Sequence, residues 1–226
     1  MGNCCSNEQK KDENYALGKQ KRDGLRHINE PDEHAPLPDC TEEVDAMNPL
    51  NPKVNETLNK LPKFKHTPDN DYSTLPVLGP YRYENGATYT GQYKNGMRTG
   101  KGKQIWMDGS VYEGFWENDQ SNGHGRLVHL EGDVYEGEWV DDKAHGKGKY
   151  THTDGTTYIG DWQNDKQNGF GKETWADGST YEGEYRDSLK HGNGVFIWND
   201  KSRYEGQFNR NDIQGEGNLA LLMTFF

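Results

Sequence analysis

The residues with the clearest chemical potential stand at the start of the chain. Met1-Gly2-Asn3-Cys4-Cys5-Ser6 follows the pattern of an N-myristoylation acceptor, in which Gly2 becomes the amino terminus once Met1 is removed. Cys4 and Cys5 adjoin that glycine and are the expected sites of palmitoylation. The two modifications belong together physically. One myristoyl chain holds a membrane only marginally, and a second signal makes the anchorage durable. The first 26 residues carry six basic and four acidic side chains, a net of +2, so the acyl chains would supply most of the affinity.

Other reactive residue types lose their chemical reading on spacing. His129 and His152 share one column, and His145 and His191 another, 23 and 46 residues apart, and no Cys/His pair has the local spacing of a zinc site. Gly-x-Gly recurs six times but never within a G-x-x-x-x-G-K-[ST] phosphate loop. Carboxylates recur at regular intervals and do not converge with a histidine or nucleophile. Kinase signatures are absent, and Cys40 reads as a free thiol. The sequence reads as that of a non-enzyme with no cofactor and no metal.

Charge and composition narrow the classes further. A net charge of -11 argues against nucleic acid, and 30% hydrophobic residues argue against a thick core or a multi-pass membrane protein. All nine prolines lie at or before Pro80, whereas 24 of 28 glycines and all six tryptophans lie at or after Gly86. Residues 1–80 therefore read as a mostly disordered, acylated tail. The alternative there is that Tyr72-Ser73-Thr74-Leu75-Pro76-Val77 packs as a cap on the start of the glycine-rich stretch. No apolar signal-peptide core is present, which places the chain in the cytosol or on the cytosolic face of a membrane.

Residues 81–226 must position everything else, and they repeat. Tyr89, Tyr112, Tyr135, Tyr158, Tyr181 and Tyr204 open six repeats at a strict period of 23 residues. Two residues after each stands Gly91, Gly114, Gly137, Gly160, Gly183 or Gly206, and two further on Tyr93, Trp116, Trp139, Trp162, Tyr185 or Phe208. This alternation puts tyrosine, glycine and the second aromatic on one face of a strand. Asn118-Asp119, Asp141-Asp142 and Asn164-Asp165 supply turns, and a second strand starts at each Gly-x-Gly. Asp108-Gly109, Glu131-Gly132, Asp154-Gly155 and Asp177-Gly178 predict type I′ turns with positive φ at both central residues.

The predicted fold is all-β: an elongated, single-layer antiparallel meander of hairpins. Rings lying over glycines would bury about 2 kcal/mol each without a second layer, and the same tyrosines and tryptophans are the expected contact anchors for a partner. The opposite face reads as ionic, with Glu113, Glu136, Glu182 and Glu205 in one column and Lys103, Arg126, Lys149 and Lys172 in another. Lys201 replaces a turn glycine and Thr224 another, which predicts a looser fifth turn.

Tyr-x-Gly-x-Trp, then Gly-x-Gly, then Asp-Gly, resembles the MORN (membrane occupation and recognition nexus) repeat family, over residues 81–226 with a half repeat at Tyr83-Glu84-Asn85-Gly86. The resemblance implies a scaffold or adaptor that binds protein partners, as in junctophilin-type membrane linkers, radial-spoke-head proteins and protist cortical cytoskeleton components. It implies a site at the plasma or ciliary membrane or the cell cortex, or soluble cytoplasm without acylation. Two alternatives stay open. One is a phospholipid-binding module; the other is the regulatory part of a phosphatidylinositol phosphate kinase-like enzyme whose catalytic domain lies elsewhere. The partner is unidentified, and end-to-end pairing of two copies is left open.

Overall fold

A computed structural model describes residues 50–66 and 72–221. The first strands of the hairpins are seven residues long: β2 Thr88–Lys94, β4 Val111–Glu117, β6 Val134–Val140, β8 Thr157–Gln163, β10 Thr180–Arg186 and β12 Arg203–Asn209. The second strands have nine: β3 Met97–Ile105, β5 Gln120–Val128, β7 Lys143–Thr151, β9 Lys166–Thr174, β11 Leu189–Ile197 and β13 Asp212–Ala220. Ahead of them come a helix, α1 Pro52–Lys60, and a strand, β1 Val77–Arg82. Strand order follows chain order, β1 to β13, an open antiparallel meander as the repeat predicts. The described chain forms two compact units, one of residues up to 143 with 149–153, the other of 144–148 with 154–221.

The two extra residues in each second strand are a bulge, and they separate the roles of the paired glycines. In the first hairpin Gly91 faces Gly102, but Tyr93 faces Arg98, so the chain takes up slack around Gly100. Gly100 has φ +82, a left-handed conformation that glycine adopts without penalty. Gly102 has ordinary backbone, and what it provides is room. A Cβ there would stand 2.5 Å from Cζ and Cε2 of Tyr89. The same register shift recurs in β4–β5, β8–β9, β10–β11 and β12–β13. Each second strand thus begins three residues before its Gly-x-Gly, earlier than the sequence pattern alone places it.

The two kinds of turn exchange the roles expected of them. Asn118 (φ 49) and Asp119 (φ 67) both take positive φ, as do Asp141-Asp142 and Asn164-Asp165, and these are the two-residue turns within hairpins. At Met107-Asp108-Gly109 only the glycine is left-handed. Gly109 N donates to Trp106 O at 2.9 Å and Trp106 N to Ser110 O at 3.0 Å, a three-residue loop instead of type I′. The Asp108 carboxylate accepts from Ser110 N at 2.9 Å, which holds that residue right-handed. Lys201 does not loosen the fifth turn: it adopts φ 70 and donates its N–H to Trp198 O at 3.0 Å. Thr224 lies outside the described residues.

Helix α1 and strand β1 add order within the stretch read as a tail, in the unit ending at 143. Asn51 caps α1 by accepting from Lys53 N at 2.9 Å, Pro52 occupies the first turn, and Pro62 stands just past its end. Val54 is fully buried against Val111, Val128 and Val134, with Leu50, Leu58, Leu61 and Ile105 around it. β1 pairs with β2, and Gln92 Nε2 donates to the Tyr72 carbonyl at 2.6 Å, so residues 72–77 cap the first hairpin.

Candidate binding surface

One face of the repeats is an aromatic layer, closed by hydrogen bonds within itself. Tyr89, Tyr112, Tyr135, Tyr158, Tyr181 and Tyr204 are all buried, and each phenol donates to the carbonyl three residues on, at 2.9–3.2 Å. The indole N–H groups of Trp116, Trp139 and Trp162 donate to the carbonyls of Gly102, Gly125 and Gly148. Each tyrosine meets aromatics edge-on. Tyr112 has Trp116 at 5.1 Å and Trp139 at 5.3 Å, and Tyr158 has Trp162 at 5.2 Å and Tyr185 at 5.1 Å. Tyr181 meets Phe208 in the same way.

The glycines Gly91, Gly114, Gly160, Gly183 and Gly206 lie under the ring two residues before them. The tyrosine rings cover glycines as the sequence predicts, whereas the tryptophans stand upright between tyrosines. Burial pushes the phenols of Tyr112 and Tyr185 well above the ordinary tyrosine range, so they remain proton donors. The expectation that these aromatics are contact anchors meets their burial here. Buried and fully bonded, they are the core.

Two buried charged clusters stand within that layer, and the repeat pattern gave no sign of them. In the unit ending at residue 221, Lys190 Nζ lies 3.3 Å from Glu173 Oε2 with both side chains almost wholly buried. Tyr185 Oη donates to the same carboxylate at 2.9 Å, and Lys190 sits over the Trp175 ring at 4.8 Å. In the other unit Arg98 lies 4.3 Å above Trp116, bonds Gln104 Oε1 and pairs with Asp119 at 3.0 Å.

Consecutive turns are clasped together. Asp119 Oδ1 accepts from Arg98 N at 2.8 Å, Asp142 from Ser121 N at 2.7 Å, Asp165 from Ala144 N at 2.8 Å and Asn211 from Lys190 N at 2.8 Å. A second set of carboxylates and amides reaches back to the bulge: Gln92 to Lys101 N, Asp161 to Phe170 N and Glu184 to Asn193 N. Sequence reasoning saw turn formers and variable positions here. The strict 23-residue spacing of Asp119, Asp142 and Asp165 was the signal for the clasp.

The opposite face carries the charge columns in register: Lys103–Glu113 at 3.4 Å, Arg126–Glu136 at 2.7 Å and Lys172–Glu182 at 3.3 Å. In the unit ending at 143 it is not purely ionic, because the apolar seat of Val54 interrupts it. Residues 62–66 continue across it. Arg126 donates to Pro62 O at 2.8 Å, Phe64 stacks on His124 at 5.4 Å, and His66 meets Phe115 edge-on at 5.3 Å. In the other unit Ile159 and Phe170 on this face are more than half exposed, beside Asp161, Lys172 and Glu184.

Gly2, Cys4 and Cys5 lie outside the described residues. Among the described residues, no group of three or more His, Cys, Asp or Glu side chains is placed to hold a metal ion. Among them, no helix is long and apolar enough to cross a membrane.

No curated protein matches the chain. Two solved structures from Drosophila melanogaster resemble it weakly. The TCP domain of SAS-4 in complex with a proline-rich motif of Ana2 is 13% identical, with 64% of this chain and 71% of that one covered at a TM-score of 0.33. The TCP10c domain of Sas-4 is 12% identical, with 54% and 93% covered at a TM-score of 0.28. Likeness of that degree is no guide to partners. The MORN repeat pattern, in contrast, matches residues 89–111, 112–133, 135–157, 158–180, 181–203 and 204–219. With more than half of its 226 residues in matched repeats whose glycines and aromatics interlock as described, the chain belongs to the MORN-repeat family of scaffolds and binding modules.

Proposed function

We propose that this chain is a scaffold or adaptor without enzymatic activity, tethered to the cytosolic face of a membrane and binding protein partners through its repeat sheet. Acyl chains on Gly2, Cys4 and Cys5 would provide the tether. The observation that carries the reading is how the two faces differ. The polar atoms of the aromatic layer are committed to its own backbone and to buried side chains within it, while Ile159 and Phe170 stand 55% and 54% exposed among charged neighbours. Apolar side chains ringed by charge are the makings of a protein-contact patch. Repeat-borne lipid binding is the weaker alternative, because residues 81–226 carry 16 basic and 23 acidic side chains, a net of -7.

The test compares the tagged wild type with Gly2→Ala and with Ile159→Ser/Phe170→Ser in cells. Gly2→Ala should leave the membrane fraction. The double variant should stay on the membrane and lose captured proteins. Persistent membrane binding by Gly2→Ala would refute the tether, and unchanged capture by the double variant would refute the contact patch.

A further inference from the structure

Residues 50–66 lie on the sheet as a guest lies on a host. Of these seventeen residues only Val54 is buried; the others are exposed or half-buried. Val54 sits among Val111, Val128 and Val134, on the face opposite the aromatic layer. Leu50, Leu58 and Leu61 flank that anchor, and beyond them the contacts are polar and few in kind. Lys53 pairs with Glu131, Thr57 Oγ1 donates to Gly132 O at 3.2 Å, and Arg126 donates to Pro62 O. Phe64 lies on His124 with the Arg126 guanidinium 5.3 Å from its ring. The segment carries Lys53, Lys60, Lys63 and Lys65 against Glu56 alone, a net of +3. Beneath it Glu131 pairs with Lys53, whereas Glu113 and Glu136 pair with Lys103 and Arg126 of the sheet itself.

We infer that this face is a docking surface for an amphipathic segment of a protein partner with a lysine beside its anchor, and that residues 50–66 occupy it in cis until such a segment displaces them. The partner segment has an aliphatic anchor with a lysine beside it on a short helix, then proline and an aromatic, because those are the features the sheet reads in its own occupant. The Lys53–Glu131 pair supports this choice, and so does the apolar seat. The 46-residue equivalents of Val111, Val128 and Val134 are Thr157, Thr174 and Thr180, so the seat is specific to one region of an otherwise repeated surface. The inference rests on reading the sheet as a binding module. Its test uses only the chain and its own peptide, so its failure leaves the tether and the Ile159–Phe170 patch untouched.

The probe is a fluorescent synthetic peptide of residues 50–66, titrated into the full chain. Val54→Asp/Phe64→Ala, which releases the cis segment, should bind the probe at least tenfold more tightly than wild type. Adding Val111→Thr/Val128→Thr/Val134→Thr, residues the fold already accepts 46 positions on, should remove that gain. The inference is overturned if the released variant keeps a wild-type melt and binds no more tightly than wild type. It is also overturned if that variant loses its sheet, which would make the segment an integral part of the fold. Equal binding by the threonine variant would place the probe elsewhere and overturn it too. A wild-type dimer that the peptide dissolves would make a second copy, and not a partner, the occupant.

Discussion

Placing a methyl group on Gly125 tests the interlocking of ring and glycine more sharply than removing a ring. Gly125 has ordinary backbone geometry, and an added Cβ would come within 2.5 Å of Cζ of Tyr112, with Cε2 at 2.7 Å. The ring must leave. Tyr112 is 1% exposed, packs edge-on against Trp116 and Trp139, and donates to Phe115 O at 3.0 Å. Exposing half of a ring that buries ~150–250 Å² costs about 2–3 kcal/mol at ~25 cal/mol per Å², and the lost hydrogen bond about 1 more. Gly125→Ala should therefore cost about 3–4 kcal/mol. Gly178→Ala is the control: its Cβ meets nothing within 4 Å, and its φ of +84 is the sole penalty, roughly 1–2 kcal/mol.

The decisive arm repeats Gly125→Ala in a Tyr112→Ala background. With the ring gone, alanine should be neutral or stabilising by ~0.5–1 kcal/mol, since glycine weakens a strand interior. The coupling between the two sites would then be about 3–5 kcal/mol. Urea unfolding of all four proteins, monitored by tryptophan fluorescence and near-ultraviolet circular dichroism, measures it. An equal cost of Gly125→Ala in both backgrounds would refute the idea that the glycine exists to admit the ring.

Three further perturbations have outcomes the structure fixes. Glu173→Leu, which strands the Lys190 ammonium under Trp175, should cost about 3–5 kcal/mol, whereas Glu173→Leu/Lys190→Leu should recover most of it in the same urea assay. Asp142→Ala removes the acceptor of Ser121 N and Oγ and puts alanine at φ 63; a loss of about 2 kcal/mol, partly restored by Asp142→Asn, is expected in thermal melts. Acid should loosen residues 50–66. Burial is the chief cause holding the His66 imidazole below its ordinary pKa of 6.5, with Lys101 and His124 adding to it and Glu113 opposing. The undocked segment therefore binds the proton more readily. Docking is intact above about pH 6.5 and weakens as pH falls below that value. Amide exchange over residues 52–66 should quicken between about pH 7.5 and about pH 5.5 after correction for intrinsic rates, and unchanged protection would sink the assignment.

Much of this was legible in residue types alone. A period of 23 with tyrosine, glycine and an aromatic at fixed offsets leaves a strand pair per repeat as the only economical reading, and the ring-on-glycine contact comes with it. What escaped detection depends on atoms that the pattern does not order. Both Gly-x-Gly glycines look alike in sequence, yet one is required for its left-handed backbone and the other for its missing side chain. Asp-Gly suggested a two-residue turn because glycine favours positive φ, but the aspartate prefers to cap Ser110 from a right-handed conformation. Helix α1 lay in the stretch read as a disordered tail, although Asn51-Pro52 and the apolar spacing of Leu50, Val54, Leu58 and Leu61 carry a helix signal. Nine residues beside prolines are too few to hold a helix without a surface to lie on, and that surface is made by strands far along the chain.

The clasps between turns set the grain at which such a chain can be edited. Asp142 reaches the residue 21 positions before it, and within its own unit Asp165 does the same. A single inserted residue between them would turn every later side chain of that strand to the wrong face and pull the carboxylate off its amide. Adding or removing a whole 23-residue block leaves each junction as it was. Evolution and the protein engineer therefore face the same rule: this molecule lengthens or shortens by entire modules, and its contact rows are re-spaced only in those steps.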